Sequence, residues 1–329
     1  MKLATYRDGS RDGQLVVVSS DLALAHYASG IAGRLQHVLD DWNFLSPQLE
    51  DLARTLNHGK ARHAFVFEPQ RCMAPLPRAY QWVDGSAYIS HIERLRRARG
   101  AALPANLQTE PLLYQGGSDH FLGPCEDIAA TSEAFGVDFE AELAVITGDL
   151  RMGCSAEAAI DGVRLLGMAN DVTLRELVPA EAAQGFGLLQ SKPATAFGPV
   201  AVTPDELGSA WRGGRAHLTL ECRLNGERFG RIDTASGMHF HFGQLLAHLG
   251  RTRDIRAGCI VGGGAVSHPE AAHGFACIVE RRAVDAMNGS AAPVEFMRFG
   301  DTVRIEATDG HGASVFGAIE QRLSAASPR

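Results

Sequence analysis

The chain has 329 residues, of which 45% are hydrophobic and 21% charged, and its formal net charge is −7. This length suffices for one large domain or for a large and a small one. The negative charge argues against nucleic acid or an anionic membrane surface as the main partner. No apolar run approaches the roughly 18–20 residues that span a bilayer, and residues 1–13 lack the apolar core of a signal peptide. We therefore expect a cytoplasmic protein that binds neither membranes nor nucleic acid.

The first predicted elements are two short β runs at residues 2–7 and 14–19, which flank an Asp- and Gly-rich turn. A helix is predicted to begin near Ser46, with Pro47 in its first turn and Gly59 beyond its end.

A proline-rich stretch at residues 69–77 then resembles a linker. We therefore expect a small N-terminal β-rich domain over residues 1–78 and a larger domain over residues 79–329.

The larger region is rich in predicted strands separated by glycine turns. Helices are predicted at 155–167, where Ser155 can act as the N-cap, and at 241–250. This irregular order indicates an α+β, mainly β fold and not a regular βαβ series. No glycine-rich nucleotide-binding motif is present, so a nucleotide cofactor is not expected. The predicted strands span residues 138–147, 197–203, 216–224, 227–232, 275–281 and 302–307.

The segment VDFEAELAVITG, residues 137–148, carries three acids in alternation with apolar residues. In a strand, Asp138, Glu140 and Glu142 would share one face, with Cα atoms roughly 6–7 Å apart. Such acids are more often solvated. However, the apolar run that follows them predicts a strand entering a core, where unpaired carboxylates are costly unless a cation compensates them.

Two further acids lie in loops that could meet this strand. Asp119 follows two glycines in the loop 114–124, and Asp171 follows the helix predicted at 155–167. Together with Glu140 and Glu142 they supply four carboxylates. All-oxygen ligation of this kind suits a hard divalent cation such as Mg²⁺, Ca²⁺ or Mn²⁺. The cysteines form no CxxC pair, so a zinc–thiolate cluster is not expected.

Six ordered segments between residues 110 and 320 resemble the fumarylacetoacetate hydrolase family. The resemblance implies a mixed β-sandwich roll, usually a homodimer, that binds Mg²⁺ or Ca²⁺ through carboxylates and acts on a small oxo acid. Residues 1 to about 75 resemble the small N-terminal domain of fumarylacetoacetases. The segments are SDHFLGP, DFEAELAVITG, ANDVTLRE, QSKPATAFGPVAVTPDEL, IRAGCIVGGGAVSHPE and FGDTVRIEA.

The resemblance also assigns the metal ligands. Glu140 and Glu142 match the Glu-x-Glu ligand pair of the family, Asp171 matches the aspartate of its Asn-Asp motif, and Asp119 matches the aspartate of its upstream loop. Asp138 is expected to have a supporting role where the strand begins.

Two cations are expected to act on the substrate. Arg175 would pair with a substrate carboxylate or a developing oxyanion, and Lys192 would stabilise the departing enolate. A surface salt bridge and a solvated loop lysine are the alternatives for these two residues.

The general base is less well defined by the sequence. Fumarylacetoacetases use a histidine–glutamate dyad, and Glu280 is the candidate glutamate. In the animal-type enzymes the histidine lies seven residues after the loop aspartate, but counting from Asp119 reaches Glu126. His120 is the nearest imidazole, and Glu126 or Asp127 could be the base instead.

The resemblance favours hydrolysis of a C–C bond in a β-diketo acid, most simply 4-fumarylacetoacetate to fumarate and acetoacetate in tyrosine breakdown. Ala265 stands where the family usually has threonine. That change keeps a related activity open: acylpyruvate hydrolysis, oxaloacetate decarboxylation, or isomerisation or decarboxylation of a diacid. A metal-binding homologue without catalysis is an alternative of a different class.

Overall fold

The computed structural model describes residues 1–326. Its strands are β1 (Lys2–Tyr6), β2 (Gln14–Val18), β3 (Leu24–Tyr27), β4 (Phe65–Val66), β5 (Trp82–Gly85), β6 (Leu113–Gly116), β7 (Ile128–Ala130), β8 (Val137–Asp138), β9 (Ala141–Thr147), β10 (Val163–Asn170), β11 (Thr173–Leu174), β12 (Ala196–Phe197), β13 (Ala201–Val202), β14 (Trp211–Arg212), β15 (Arg215–Ala216), β16 (Thr219–Leu224), β17 (Glu227–Asp233), β18 (Ile260–Gly262), β19 (Thr302–Thr308) and β20 (Ser314–Ala325). Its α-helices are α1 (Leu35–Asp40), α2 (Trp42–Asn57), α3 (Ile89–Ala98), α4 (Ala156–Asp161), α5 (Val178–Gln184), α6 (Phe242–Leu249) and α7 (Ile278–Met287). Short 3₁₀ helices span Pro69–Arg71, Glu133–Phe135, Pro204–Ala210 and Ala271–His273.

One large mixed sheet contains strands from both of the predicted domains. Its strands follow the order β4-β3-β2-β1-β13-β10-β9-β18-β5-β6, with β12 also paired to β10. Lys2 pairs with Val202 and Leu3 with Ala201, so β1 lies directly beside β13. The strands of residues 1–78 therefore extend the sheet of the larger region and do not form a sheet of their own.

Strands β1 and β2 are buried on both faces, whereas β3 and β4 at the sheet edge are only partly covered. Helix α2 buries Leu49 and Leu56 in a cluster that also contains Leu15 and Val17 of β2. The same cluster includes Ile146 of β9. The hydrophobic core thus continues from the N-terminal region into the larger one, as expected for strands that belong to a single sheet.

A second sheet, of order β17-β16-β19-β20-β7, packs against β10 and β13 of the first. The buried side chains of Leu220, Ile305 and Phe316 lie in the core between them. Two packed sheets with a few short helices confirm the predicted α+β, mainly β fold. Among residues 1–326, no helix combines the length and the apolarity that crossing a bilayer needs.

Several predicted elements differ from the structure. The helix beginning after Ser155 ends at Asp161, and the apolar run that follows is strand β10, buried along almost its whole length. The segment predicted as a strand at 275–281 instead begins helix α7 at Ile278. A short apolar run does not distinguish a buried strand from a buried helix, so these errors have a common origin.

Candidate active site and metal centre

A cluster of three buried carboxylates lies at the centre of the large sheet. Oxygen atoms of Asp84, Glu142 and Asp171 all lie within 4.8 Å of one another. The strand order explains why these three carboxylates lie together. Strand β9 carries Glu142 and lies between β18 and β10, and β10 ends just before Asp171. β18 in turn pairs in parallel with β5, where Gly262 lies opposite Asp84.

The charges of this cluster are not balanced within it. Neither carboxylate oxygen of Glu142 has a hydrogen-bond partner within the described part of the chain, although the side chain is fully buried. Burial, followed by repulsion from Asp84 and Asp171, raises the pKa of Glu142 well above its usual value. Burial and the charge of Asp171 likewise raise the pKa of Asp84 to about 7. The Gly264 amide donates one hydrogen bond, of 2.9 Å, to Asp84 Oδ1.

Such a cluster fits a hard divalent cation. Unpaired buried carboxylates are costly, and a cation bound by all three would remove both the repulsion and the lack of partners. Oxygen-only ligation is the preference of Mg²⁺ and Ca²⁺. Asp84, Glu142 and Asp171 are therefore the residues that would hold the metal.

Asp171 is also the centre of a hydrogen-bond network. Lys192 Nζ lies 2.5 Å from Asp171 Oδ2, and it donates to Thr173 Oγ1 at 2.7 Å and to the Asp171 carbonyl at 3.0 Å. Thr195 donates to Oδ1 at 2.6 Å, and the Tyr114 hydroxyl donates to Oδ2. Burial lowers the pKa of Lys192, but the Asp171 and Glu140 carboxylates outweigh it and raise the pKa overall. The lysine is thus a fixed positive charge at the edge of the cluster.

Glu140 lies beside the cluster and is held by cations. Its Oε1 atom accepts a hydrogen bond of 2.6 Å from Thr173 and lies 3.6 Å from Lys192 Nζ. Arg175 Nη2 is 2.6 Å from the same oxygen, a charge contact in which the N–H groups do not point at the acceptor. Burial raises the pKa of Glu140, but Arg175 and Lys192 outweigh it and lower the pKa to about 2. Its predicted ligation of the metal remains a prediction.

Arg175 and Asp138 form a buried pair behind the cluster. Arg175 Nε donates to Asp138 Oδ2 at 2.8 Å. Asp138 also accepts hydrogen bonds from the backbone amides of Ile278 and Val279, at 2.7 and 2.9 Å. These amides open helix α7, so Asp138 satisfies unpaired donors at a helix N-terminus. Asp138 therefore has a structural role, and the predicted contact of Arg175 with substrate stays a prediction.

Asp119 and His120 lie elsewhere. Both side chains are exposed on the loop that follows the edge strand β6, and among the described residues Asp119 does not belong to the carboxylate cluster. The chain leaves the sheet at Gly116, so the residues beyond it run along the surface. We therefore replace Asp119 by Asp84 in the candidate ligand set.

The imidazole that the sequence analysis did not find is His91, on helix α3. His91 Nδ1 lies 2.9 Å from Oε2 of Glu280, which is buried in the first turn of α7. Ser267 Oγ and Arg94 Nη1 donate to the other oxygen, Oε1, at 2.7 and 2.5 Å. Burial raises the pKa of Glu280, but hydrogen bonds from His91, Ser267 and Arg94 lower it overall. The glutamate is thus an ionised partner for the imidazole.

One signal in the sequence could have revealed this pair. His91 lies seven residues after Asp84, which is the spacing that the family resemblance requires. Counting from Asp119 gave Glu126 instead. Glu126 accepts a hydrogen bond from the Gly123 amide and pairs with Arg7 at 2.6 Å. It is therefore part of a surface contact and not of the dyad.

Two family models together match nearly the whole chain. Residues 81–324 match the family described as fumarylacetoacetate (FAA) hydrolase C-terminal, and residues 1–78 match fumarylacetoacetase N-terminal domain 2. The chain belongs to the fumarylacetoacetate hydrolase family and is an enzyme of that family. The acidic cluster is consistent with the divalent-metal dependence that is general in this family.

The individual proteins that this chain resembles share 30% or less of its aligned residues. Oxaloacetate tautomerase YisK of Bacillus subtilis (strain 168) is 28% identical over 224 residues, which are 67% of this chain and 70% of that protein. The mitochondrial oxaloacetate tautomerase fahd2 of Xenopus laevis is 30% identical over 121 residues, or 36% of each chain. A fumarylacetoacetate hydrolase structure from Exiguobacterium antarcticum superposes with a TM-score of 0.65 at 20% identity, covering 99% of this chain and 100% of that chain. The last likeness supports the fold alone.

Proposed function

We propose that this protein catalyses divalent-metal-dependent enol–keto isomerisation of a 2-oxo diacid of the oxaloacetate class. The observation that carries the proposal is the His91–Glu280 dyad in the same buried region as the carboxylate cluster. Glu140 is linked to the dyad through Cys277, which pairs with Glu140 in an isolated β-bridge and whose Sγ lies 3.9 Å from His91 Nδ1. Two curated relatives are named oxaloacetate tautomerases, which supports this activity over fumarylacetoacetate hydrolysis.

Asp84, Glu142 and Asp171 would bind the cation. When bound, it would polarise the 2-oxo group of the substrate and offset the negative charge that develops on its oxygen. Lys192 contributes a further positive charge, but its three ammonium protons are engaged by Asp171 and Thr173. Its action is thus to hold Asp171 and to set the local potential, and direct donation to substrate would require it to give up one of these bonds.

His91 is suited to move the proton. Because the Glu280 carboxylate accepts from Nδ1, the neutral imidazole has its proton on Nδ1 and its lone pair on Nε2. Nε2 can then take a proton from the carbon next to the carbonyl while the carbonyl oxygen gains a proton from water, which gives the enol, and the reverse transfers restore the ketone. Glu280 stabilises the imidazolium that forms, since it is held ionised by Arg94 and Ser267.

Hydrolysis of a C–C bond is the second candidate. The same dyad can remove a proton from water instead of carbon, and the N-terminal segment matches a fumarylacetoacetase domain. Fumarylacetoacetate and acylpyruvates are therefore the substrates to test beside oxaloacetate.

The experiment compares four reactions of the Mg²⁺-loaded protein: enol–keto equilibration of oxaloacetate, its decarboxylation to pyruvate, and hydrolysis of an acylpyruvate and of fumarylacetoacetate. The first is followed by ultraviolet absorbance of the enol. We expect enol–keto equilibration to have the highest kcat/KM. The variant His91→Ala should reduce that rate about 10²–10⁴-fold, whereas the matched surface variant His120→Ala should leave it unchanged.

Two results would contradict the proposal. A higher kcat/KM for fumarylacetoacetate would favour the hydrolase. Metal binding without turnover of any of these compounds would favour a homologue without catalysis.

A further inference from the structure

A further group of side chains of metal-ligating types lies at the surface and shares no residue with the carboxylate cluster. Ligand atoms of His268, Glu270 and His273 lie within 4.8 Å of one another. His273 Nε2 is 3.8 Å from Glu270 Oε2, and the two imidazole rings are 4.1 Å apart between centroids. Around a tetrahedral zinc ion, ligand atoms are about 3.4 Å apart. Ligand atoms that now lie within 4.8 Å of one another would have to approach by about 1.4 Å or less, and the two rings would have to turn apart, to reach this geometry.

The loop that carries these residues is fixed at both ends. On one side, Arg94 Nη2 donates to the Pro269 carbonyl at 2.6 Å, and Ser267 donates to Glu280 at 2.7 Å. On the other, Gly274 packs against Gly230 so closely that a Cβ added to Gly274 would lie 2.6 Å from the Gly230 Cα. A short 3₁₀ turn, Ala271–His273, connects them. The three side chains are thus presented by an anchored turn, which lowers the entropy lost when they converge on an ion.

We propose that His268, Glu270 and His273 form a site for a borderline transition-metal cation of the Zn²⁺ class. Two imidazoles and one carboxylate are a common three-residue ligand set for zinc, with the remaining position open to water. The same set disfavours Mg²⁺, which prefers oxygen ligands and retains its waters. The chain would then hold two cations of different class: a hard one at Asp84, Glu142 and Asp171, and a borderline one at this turn.

Binding requires one local change. His268 Nδ1 accepts a hydrogen bond of 3.0 Å from the Glu270 amide, so the neutral ring carries its proton on Nε2. Ligation through Nε2 would move that proton to Nδ1, and ligation through Nδ1 would displace the amide. Either mode breaks this bond, so the site is expected to bind more weakly than a fully preorganised one.

Co²⁺ serves as the probe because its visible spectrum reports ligand number and type. The titration uses the full chain carrying Glu142→Gln, which removes a ligand from the carboxylate cluster, with excess Mg²⁺ present. We expect one equivalent of Co²⁺ to give the visible bands of four- or five-coordinate cobalt, without thiolate charge-transfer absorption, and Zn²⁺ to remove them. The readout is independent of catalytic activity and of the proposed function.

The variants decide the assignment. Adding His268→Ala and His273→Ala should weaken Co²⁺ binding by at least about tenfold, since even loss of an outer-sphere partner costs about 10–100-fold. His311→Ala is the matched control: this exposed histidine also lies near an acid, Asp309, and its loss should change nothing. Equal Co²⁺ affinity with and without His268 and His273, or a thiolate spectrum, would overturn the proposal.

Discussion

The substitution Asp84→Asn should stabilise the metal-free protein while abolishing tight metal binding. Asp84 is buried, and its pKa is raised to about 7 by burial and by the charge of Asp171. Asparagine has the same shape and can still accept the hydrogen bond from Gly264. Its amide would also bring a donor into a cluster in which the oxygens of Glu142 have no partner among the described residues.

The magnitude follows from the two pKa values. Below its ordinary pKa of 3.8, Asp84 is protonated in both the folded and the unfolded chain and costs no stability. As the pH rises from there to about 7, the unfolded chain loses the proton and the folded chain keeps it, so unfolding becomes progressively more favourable. At about 1.4 kcal/mol per pKa unit, this penalty reaches about 4 kcal/mol near pH 7 and is constant above it. Asp84 and Glu142 share the cost of holding carboxylates together in this buried cluster, so about 4 kcal/mol is an upper value for Asp84 alone.

The assay is urea denaturation in EDTA at pH 4.5 and pH 8, repeated at pH 8 with Mg²⁺. In EDTA the free energy of unfolding of the variant should exceed that of the parent protein by up to about 4 kcal/mol at pH 8. At pH 4.5 the difference should be about 1 kcal/mol or less. With Mg²⁺ at 100 times its Kd, the free energy of unfolding of the parent should rise by about 2.7 kcal/mol, and that of the variant should hardly change. Asp119→Asn is the matched control, because that exposed aspartate should give neither effect. If Asp84→Asn lowered stability in EDTA at pH 8, or gave the same difference at both pH values, the reasoning would be refuted.

Three other substitutions test the remaining assignments. Asp138→Ala should lower the free energy of unfolding by about 3–5 kcal/mol, because it leaves Arg175 buried without this partner. Urea denaturation measures this difference, and a loss below about 1 kcal/mol would contradict the prediction. Glu280→Gln should reduce kcat about 10²-fold or more, since His91 loses the carboxylate charge that orients it. Calorimetry should show that the Mg²⁺ affinity is unchanged, and weakened metal binding would instead place Glu280 in the metal site. Asp119→Ala should leave Mg²⁺ affinity within about twofold, and a tenfold loss would restore this residue to the ligand set.

Part of the site could be predicted from local sequence. The alternation of acids and apolar residues before the run 143–146 correctly indicated carboxylates at the start of a buried strand. Glu142 and Asp171 lie close together because β9, which carries Glu142, pairs directly with β10, which ends just before Asp171. Lys192, which the resemblance assigns to the site, lies against Asp171, and its predicted action on the enolate stays a prediction.

Other features of the site depend on contacts that are not local. Glu140 and Glu142 share a strand face by period, yet one is held by Arg175 and the other lies among carboxylates. The chain breaks its strand between Asp138 and β9, and this break cannot be read from alternation. Glu280 lies in a segment predicted as a strand, but Asp138 accepts hydrogen bonds from the amides that begin helix α7.

The sequence alone determined the family, the β-rich fold class and the acidic strand, because periodicity and motif order are carried by neighbouring residues. The tertiary structure decided which aspartate and which histidine join that strand. Asp84 reaches Glu142 only through β18, a strand more than 170 residues later in the chain that pairs with β5 on one side and β9 on the other. Pairing over such a separation depends on how the whole sheet packs, and it is this pairing that brings Asp84 to the cluster while Asp119 remains on the surface.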